Sequence, residues 1–147
     1  MIAIATLAKH VVDLCDAFGV GLEIDKQLAP DGARAMTQSY QPDAAKKVRV
    51  HPIIDETTYC VALHEIGHCV SPTGMMFFEW SLSMRLFRQP TSVRDIRIAL
   101  EMEDAAWMWA KHYALEWTPL MQNTAAMCLA TYTREARRVL GTGGLPR

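Results

Sequence analysis

The sequence has almost no net charge and no block of basic residues. Its formal net charge is −1, with 15 lysines and arginines against 16 aspartates and glutamates. A domain that binds nucleic acid usually carries a basic face or stripe. We therefore expect no nucleic-acid partner.

Long apolar runs are absent as well. No window holds the about 18 uninterrupted apolar residues of a membrane span. Near the N-terminus, Ile4, Ala8 and Val11 recur at helical spacing, but Lys9 and Asp13 interrupt the run. That pattern is typical of an amphipathic packing helix and lacks the basic start and continuous apolar centre of a signal peptide. We expect a cytoplasmic protein with no membrane partner.

Cysteines are few, and no two of the four form a CxxC pair. We interpret them as reduced thiols that pack as small apolar groups. Internal repeats, low-complexity tracts and linkers are also lacking. The 147 residues, 50% of them hydrophobic and 21% charged, predict one folded domain over residues 1–147.

The pattern along the chain predicts a helix, a small sheet of short strands and then further helices, which is an α+β arrangement. Asp55 is a good N-cap, Ser92 and Asp95 form a capping box, and Thr118 precedes a proline at a first helical position. The predicted helices cover residues 2–18, 56–70, 92–117 and 118–140, with an apolar candidate at 75–87. The predicted strands cover residues 20–25, 33–40 and 46–53, the last with one buried and one wet face.

The predicted helix at residues 56–70 contains the motif His64-Glu65-Ile66-Gly67-His68. Residues four apart share a helix face, so the two histidines can direct ring nitrogens at one ion. For zinc the distance is about 2.0–2.1 Å, and zinc lowers the pKa of a bound water to about 7. Glu65 projects toward that water and can take its proton. A chance match with two core histidines is the alternative, but the position of the motif in a capped helix after an alternating strand favours a metal site.

A catalytic zinc needs a third protein ligand, and no HxxGxxH continuation follows His68. The long predicted helix offers Glu101, Glu103 and Asp104. Glu101 falls nearly opposite the apolar face and Asp104 on its flank. Glu103 lies within the apolar face, together with Ile96, Ala99, Leu100, Ala106, Trp107 and Ala110.

A carboxylate in an apolar stripe is costly unless it is paired or bound to metal. Glu103 is therefore the candidate ligand. Pairing of Glu103 with an arginine such as Arg85 or Arg88 is the alternative, and Glu101 or Asp104 remain as substitutes. Cys60 also shares the histidine face, but three successive turns span about 12 Å, too long for one ion.

HEIGH, followed on a later helix by Glu103-Asp104-Ala105-Ala106, resembles the gluzincin metallopeptidases, whose signature is HExxH and then ExxA or a similar run. The run VRVHPIIDETTYCVALHEIGH with a later EDAAWMWA is most similar to the short metallopeptidase-like proteins of phages and prophages. The resemblance covers about residues 48–110.

The resemblance implies a zincin-like fold with His64, His68 and Glu103 as zinc ligands and Glu65 as general base. It implies hydrolysis of peptide or protein amide bonds, with the strand at residues 48–53 above the active helix as the place where a peptide adds.

The sequence departs from larger gluzincins at Trp107, where they often carry an aspartate that supports a histidine. The residue that steadies the oxyanion is not identifiable, and Tyr113 and Tyr132 are both candidates.

Two other functions remain open at this point. In one, zinc ties two helices together in a non-catalytic protein, and the apolar segment at residues 75–87 binds a partner. In the other, the chain is a metal-free helical protein. An intact Glu65 favours the enzyme, because a structural site has no need of it.

Overall fold

The computed structural model describes residues 2–37, 45–71 and 93–140. Over these ranges the chain has four helices and three strands, which confirms the α+β class. In chain order they are α1 (Ile4–Phe18), β1 (Val20–Ile24), β2 (Arg34–Thr37), β3 (Lys46–Val50), α2 (Glu56–Val70), α3 (Val93–Tyr113) and α4 (Pro119–Leu140). The segment at 75–87 and the capping box at Ser92 lie outside the described residues. None of the helices described is long and apolar enough to cross a membrane.

Local capping sets the helix ends that the sequence predicts. Gly19 ends α1 with a φ of 67°, a left-handed conformation that glycine adopts without strain. At the start of α2, the Asp55 carboxylate accepts from the Thr58 N–H at 2.7 Å, and the Thr58 hydroxyl accepts from the Asp55 N–H at 3.1 Å. The Thr118 hydroxyl accepts from the backbone of α4 in the same way, at 3.3 Å. These contacts satisfy N–H groups that a helix start leaves without partners.

The end of α3 differs from the prediction, since the helix stops at Tyr113 and not at residue 117. Just beyond it, the Leu115 N–H donates to the hydroxyl of Tyr59 at 3.1 Å. Tyr59 is fully buried on α2, and its hydroxyl lies 2.7 Å from Nδ1 of His10 on α1. A hydrogen bond to another helix therefore replaces the last predicted turn.

His10 makes the stability of the fold depend on pH. Burial lowers the pKa of His10 below its ordinary value, against the charge of Asp13, which raises it. In the unfolded chain the pKa is about 6.5, so the unfolded state binds the proton more readily. Stability should therefore fall as the pH drops through 6.5 and level off below the folded-state pKa.

We expect His10→Asn to show a shallower loss of unfolding free energy between pH 7 and pH 5 than the parent. The asparagine oxygen keeps a polar partner for Tyr59 but does not titrate. Urea unfolding at each pH measures the unfolding free energy of both proteins. The contributions of all other titrating groups cancel in the difference between the two. Parallel pH curves would contradict the prediction.

The sheet has the strand order β1-β3-β2, with β1 parallel and β2 antiparallel to β3. Val48 and Val50 of β3 are buried against the helices. On the other face Arg49 pairs with Glu23 of β1 at 2.9 Å. The predicted alternation of β3 is confirmed, but the expectation that a peptide adds to this strand is wrong. Both edges of β3 are already paired, and β1 and β2 are the two edge strands.

Helix α2 lies at the centre of the fold and is buried on nearly all sides. It contacts α3 most extensively and also packs against α1, α4 and the sheet. The core around it includes Val11, Leu14, Val48, Tyr59, Leu63, Ile66, Ala110, Met121 and Ala125. The motif at residues 64–68 therefore lies on the most enclosed of the described helices.

Gly67 allows α2 and α3 to approach closely. A Cβ at Gly67 would lie 2.7 Å from the carbonyl oxygen and 3.1 Å from the Cα of Ala106. These are backbone atoms, so the overlap is relieved only if one helix moves. The small residues in HEIGH and in the run that begins at Glu103 thus set the separation of the two helices.

Replacing Gly67 with alanine should destabilise the protein by about 1–3 kcal/mol, the usual cost of overpacking. Alanine is intrinsically better in a helix by about 1 kcal/mol, but the overlap with Ala106 outweighs that gain. Gly21→Ala is the matched control, because its Cβ would have no neighbour closer than 3.5 Å. Denaturant unfolding measures the unfolding free energy of both variants. Equal unfolding free energies for Gly67→Ala and Gly21→Ala would contradict the role given to Gly67.

Candidate metal centre

Two histidines and one glutamate meet between α2 and α3. The His64 and His68 rings lie side by side on α2, with centroids 4.5 Å apart. Glu103 reaches them from α3, with Oε2 2.8 Å from Nε2 of His64 and Oε1 3.0 Å from Nε2 of His68. All three residues are buried, with 7%, 2% and 4% of their surface exposed.

The predicted position of Glu103 on the buried face of its helix is confirmed. Glu103 is buried, whereas Glu101 and Asp104 on the same helix are exposed. The oxygens of the Glu103 carboxylate contact the two histidines. Arg85 and Arg88, the alternative partners, lie outside the described residues. That Glu103 binds a metal stays a prediction.

Charge is concentrated in this buried cluster. Burial alone would raise the pKa of Glu103, but hydrogen bonds with His64 and His68 hold it well below the usual range. Burial alone would lower the pKa of His64, but its contacts with Glu103 and Glu65 raise it to about 9. At neutral pH without a metal, a carboxylate and an imidazolium thus stabilise each other.

The donor set fits a small divalent cation. Zinc ligands at about 2.0–2.1 Å in a tetrahedron lie about 3.3 Å from one another. The separations of 2.8 and 3.0 Å between Glu103 and the histidines need to widen by only a few tenths of an ångström. His64, Glu65 and His68 also offer one ligand atom each, all within 4.8 Å of one another. The residues described therefore contain a candidate metal site with two carboxylates in reach.

Glu65 lies on the other side of the His64 ring. Its Oε1 is 3.4 Å from Nδ1 of His64, whereas Glu103 contacts Nε2. Glu65 is only partly buried and lines an open cleft. Glu103 thus lies at the Nε2 side of the His64 ring and Glu65 at its Nδ1 side, and both carboxylates line the cleft.

The cleft has a volume of about 950 Å³ and runs over the histidines. Its lining comes from α2, α3, α4, β2 and the residues just before β2. Besides the motif residues, its lining includes Asp31, Ala33, Arg34, Ala35, Met36, Val61, Trp107, Met127, Cys128 and Tyr132. The volume is at the upper end of the about 300–1,000 Å³ typical of ligand sites.

The two oxyanion candidates lie in different places. Tyr132 on α4 lines the cleft and lies within hydrogen-bonding reach of Glu103. Burial, and then the Glu103 charge, raise the pKa of Tyr132 well above its usual range. Tyr113 packs instead against Phe18 and Trp109, with ring centroids 5.3 and 4.6 Å away. Of the two tyrosines, only Tyr132 faces the candidate site.

Sequence reasoning named Tyr132 as a candidate but missed the other residues of α4 at this site. Thr124, Cys128 and Tyr132 all line the cleft and are spaced four residues apart, so they share one helix face. That spacing is visible in the sequence and predicts the shared face.

Cys60, weighed as a metal ligand, is fully buried, and its thiol donates to the Thr57 carbonyl at 3.4 Å. Burial raises the pKa of that thiol to about 12, which disfavours the thiolate a metal requires.

Comparison of the chain with models of protein families gave no match, and comparisons with curated proteins and with solved structures gave no significant match. The resemblance to the gluzincins stays a prediction that rests on the HEIGH motif and on the run that begins at Glu103.

Proposed function

We propose that the protein is a zinc-dependent peptidase of zincin-like fold, in which His64, His68 and Glu103 hold the metal. The observation that carries this proposal is the buried Glu103 carboxylate, whose two oxygens contact Nε2 of both histidines. Two histidines and a glutamate form a known ligand set of catalytic zinc, which leaves one coordination position open. Bound zinc would polarise the scissile carbonyl and activate water for its attack.

The two carboxylates take different roles because they face different sides of His64. Glu103 already contacts the nitrogens of both histidines and is almost fully buried, which suits a ligand. Both line the cleft, but 12% of the Glu65 side chain is exposed against 6% for Glu103, which suits a group that exchanges protons with a substrate. In this assignment Glu65 takes a proton from the attacking water and passes it to the leaving amine.

Tyr132 is the best-placed donor to the oxygen that becomes negatively charged during the attack. It lies on α4 and lines the cleft, within hydrogen-bonding reach of Glu103. Its raised pKa keeps the hydroxyl protonated at neutral pH, so that it remains a donor. A donor fixed in place before the reaction stabilises the developing charge without reorganisation.

The substrate is a peptide in an extended conformation. β2 pairs with β3 on one side, and within the described ranges no other strand pairs with its second side. Residues of β2 line the cleft. An extended peptide can add along such an edge by main-chain hydrogen bonds, and this would bring its carbonyl groups over His64 and His68.

A second candidate function is a zinc-stapled binding protein without activity. The burial of both histidines and of Glu103 favours it, since structural zinc sites are closed. Here the metal would only tie α2 to α3. The two functions differ in whether the fourth coordination position is open.

Metal analysis combined with a cleavage screen tests the proposal. We expect one zinc per chain after dialysis and cleavage of members of a random peptide library. A chelator should stop the cleavage and added zinc should restore it. Failure to bind zinc overturns the proposal. Full zinc loading without cleavage of any peptide favours the zinc-stapled protein.

A further inference from the structure

Trp107 covers one face of a candidate metal ligand. It lies one helical turn after Glu103 on α3 and is 4% exposed. Its ring stacks on the His64 imidazole with a centroid distance of 4.2 Å and an interplanar angle of 13°. One turn of α3 therefore supplies both the carboxylate at the edge of the His64 ring and a flat surface against its face.

The Nδ1 side of the His64 ring lacks a short hydrogen bond to a described residue. A histidine that binds metal through one nitrogen usually donates from the other to a carboxylate, carbonyl or water. Nδ1 of His64 is 3.4 Å from Oε1 of Glu65, longer than the about 2.7–2.9 Å of a strong charge-assisted hydrogen bond. Glu65 also has a proton-transfer role in the proposed function, and holding His64 tightly would compete with it.

A hydrogen bond does not explain the indole at this position. Its Nε1 is buried and has no acceptor among the residues that the structure describes. An unpaired buried donor is destabilising, so any stabilisation that Trp107 gives to the site must come from its ring. Tryptophan presents the aromatic face that attracts cations most strongly, and an imidazole bound to a dication carries part of its positive charge.

We propose that Trp107 is a positioning residue that holds the His64 ring in its metal-binding orientation by stacking. In the gluzincin pattern that the sequence resembles, a carboxylate at this position supports a histidine, and here the indole ring takes its place. The inference rests on the proposed function for the metal itself. It adds that the shape of the site depends on a flat ring at position 107.

Cobalt binding tests this inference independently of activity, because the visible absorption of bound Co²⁺ reports the geometry of its ligands. The metal-free protein is titrated with Co²⁺ as parent, Trp107→Phe and Trp107→Leu. Trp109→Leu is the matched control, since Trp109 lies on the same helix but packs against Phe18 and Tyr113. Trp107→Met replaces the leucine variant if the latter does not fold.

We expect Trp107→Leu to bind Co²⁺ about 10- to 100-fold more weakly, the usual effect of losing a group that orients a ligand, with shifted absorption bands. Trp107→Phe keeps a flat ring and should retain the parent bands, with a loss below about fivefold. Trp109→Leu should match the parent. Parent-like affinity and bands in Trp107→Leu, or an equal loss in Trp109→Leu, overturn the inference. A parent that binds no Co²⁺ overturns the proposed function itself.

Discussion

Replacement of Glu65 by glutamine should abolish peptide hydrolysis and leave metal binding intact. The amide is nearly isosteric with the carboxylate, so the packing of α2 is preserved. It cannot accept a proton from the attacking water. Loss of a general base typically costs about 100- to 10,000-fold in rate.

The location of Glu65 is what makes a selective effect expected. It is only partly buried, and it contacts His64 on the Nδ1 side, away from the Nε2 atoms that face Glu103. Its removal therefore leaves the proposed ligand set in place. The lost group is one that acts on the reacting water.

The measurement compares cleavage rates of parent and Glu65→Gln on a peptide found in the library screen, with zinc content determined for both. Glu101→Gln is the control, because it makes the same chemical change at an exposed site on α3. Equal cleavage by parent and Glu65→Gln would show that another group activates the water. Loss of zinc from Glu65→Gln would show that Glu65 is a ligand.

The sequence predicts best those features that depend on neighbours along the chain. The bounds of α2 follow from Asp55 and from the end of the apolar run, and the structure has the helix at Glu56–Val70 as predicted. The spacing of His64 and His68 places both rings on one face. The periodicity of α3 separates a buried Glu103 from an exposed Glu101.

Features that depend on contacts between distant residues could not be predicted in this way. Nothing in the alternation of β3 tells whether it is a central or an edge strand, and this decides where a peptide can bind. The early end of α3 depends on the hydroxyl of Tyr59, 56 residues away from Leu115 in the chain. The need for Gly67 likewise depends on the backbone of Ala106.

Trp107 has one feature that the sequence predicts and one that depends on a contact between distant residues. Its spacing from Glu103 places it on the same face of α3, which the sequence shows directly. Its stacking on His64 depends on the separation of α2 and α3, which Gly67 and Ala106 set. The sequence identified Trp107 as a departure from the gluzincin pattern, but only the three-dimensional contact suggests what the residue does instead.

Glu103→Gln should remove the stabilisation that zinc gives to the fold. A ligand that binds only the folded state adds about 2.7 kcal/mol to the unfolding free energy at a concentration 100 times its Kd. In the proposed site this gain depends on a carboxylate that joins α3 to both histidines of α2. Glutamine keeps the size but removes the negative charge, and its amide NH₂ would face one of the two histidines.

Unfolding in denaturant, with excess zinc and with a chelator, measures this effect in three proteins. The parent should lose the zinc-dependent part of its stability when the chelator is added. Glu101→Gln should behave as the parent does, because its side chain is exposed on the same helix. Glu103→Gln should have nearly the same stability in both conditions.

The same experiment, extended to Glu65→Gln, decides which carboxylate completes the site. His64, Glu65 and His68 by themselves offer ligand atoms within 4.8 Å of one another, so a metal site without Glu103 is geometrically conceivable. If Glu103→Gln keeps the full effect of zinc while Glu65→Gln loses it, Glu65 is the third ligand. The water would then need another base, and the mechanism proposed here would be wrong. If only Glu103→Gln loses the effect, the buried carboxylate is the ligand and Glu65 is left for proton transfer.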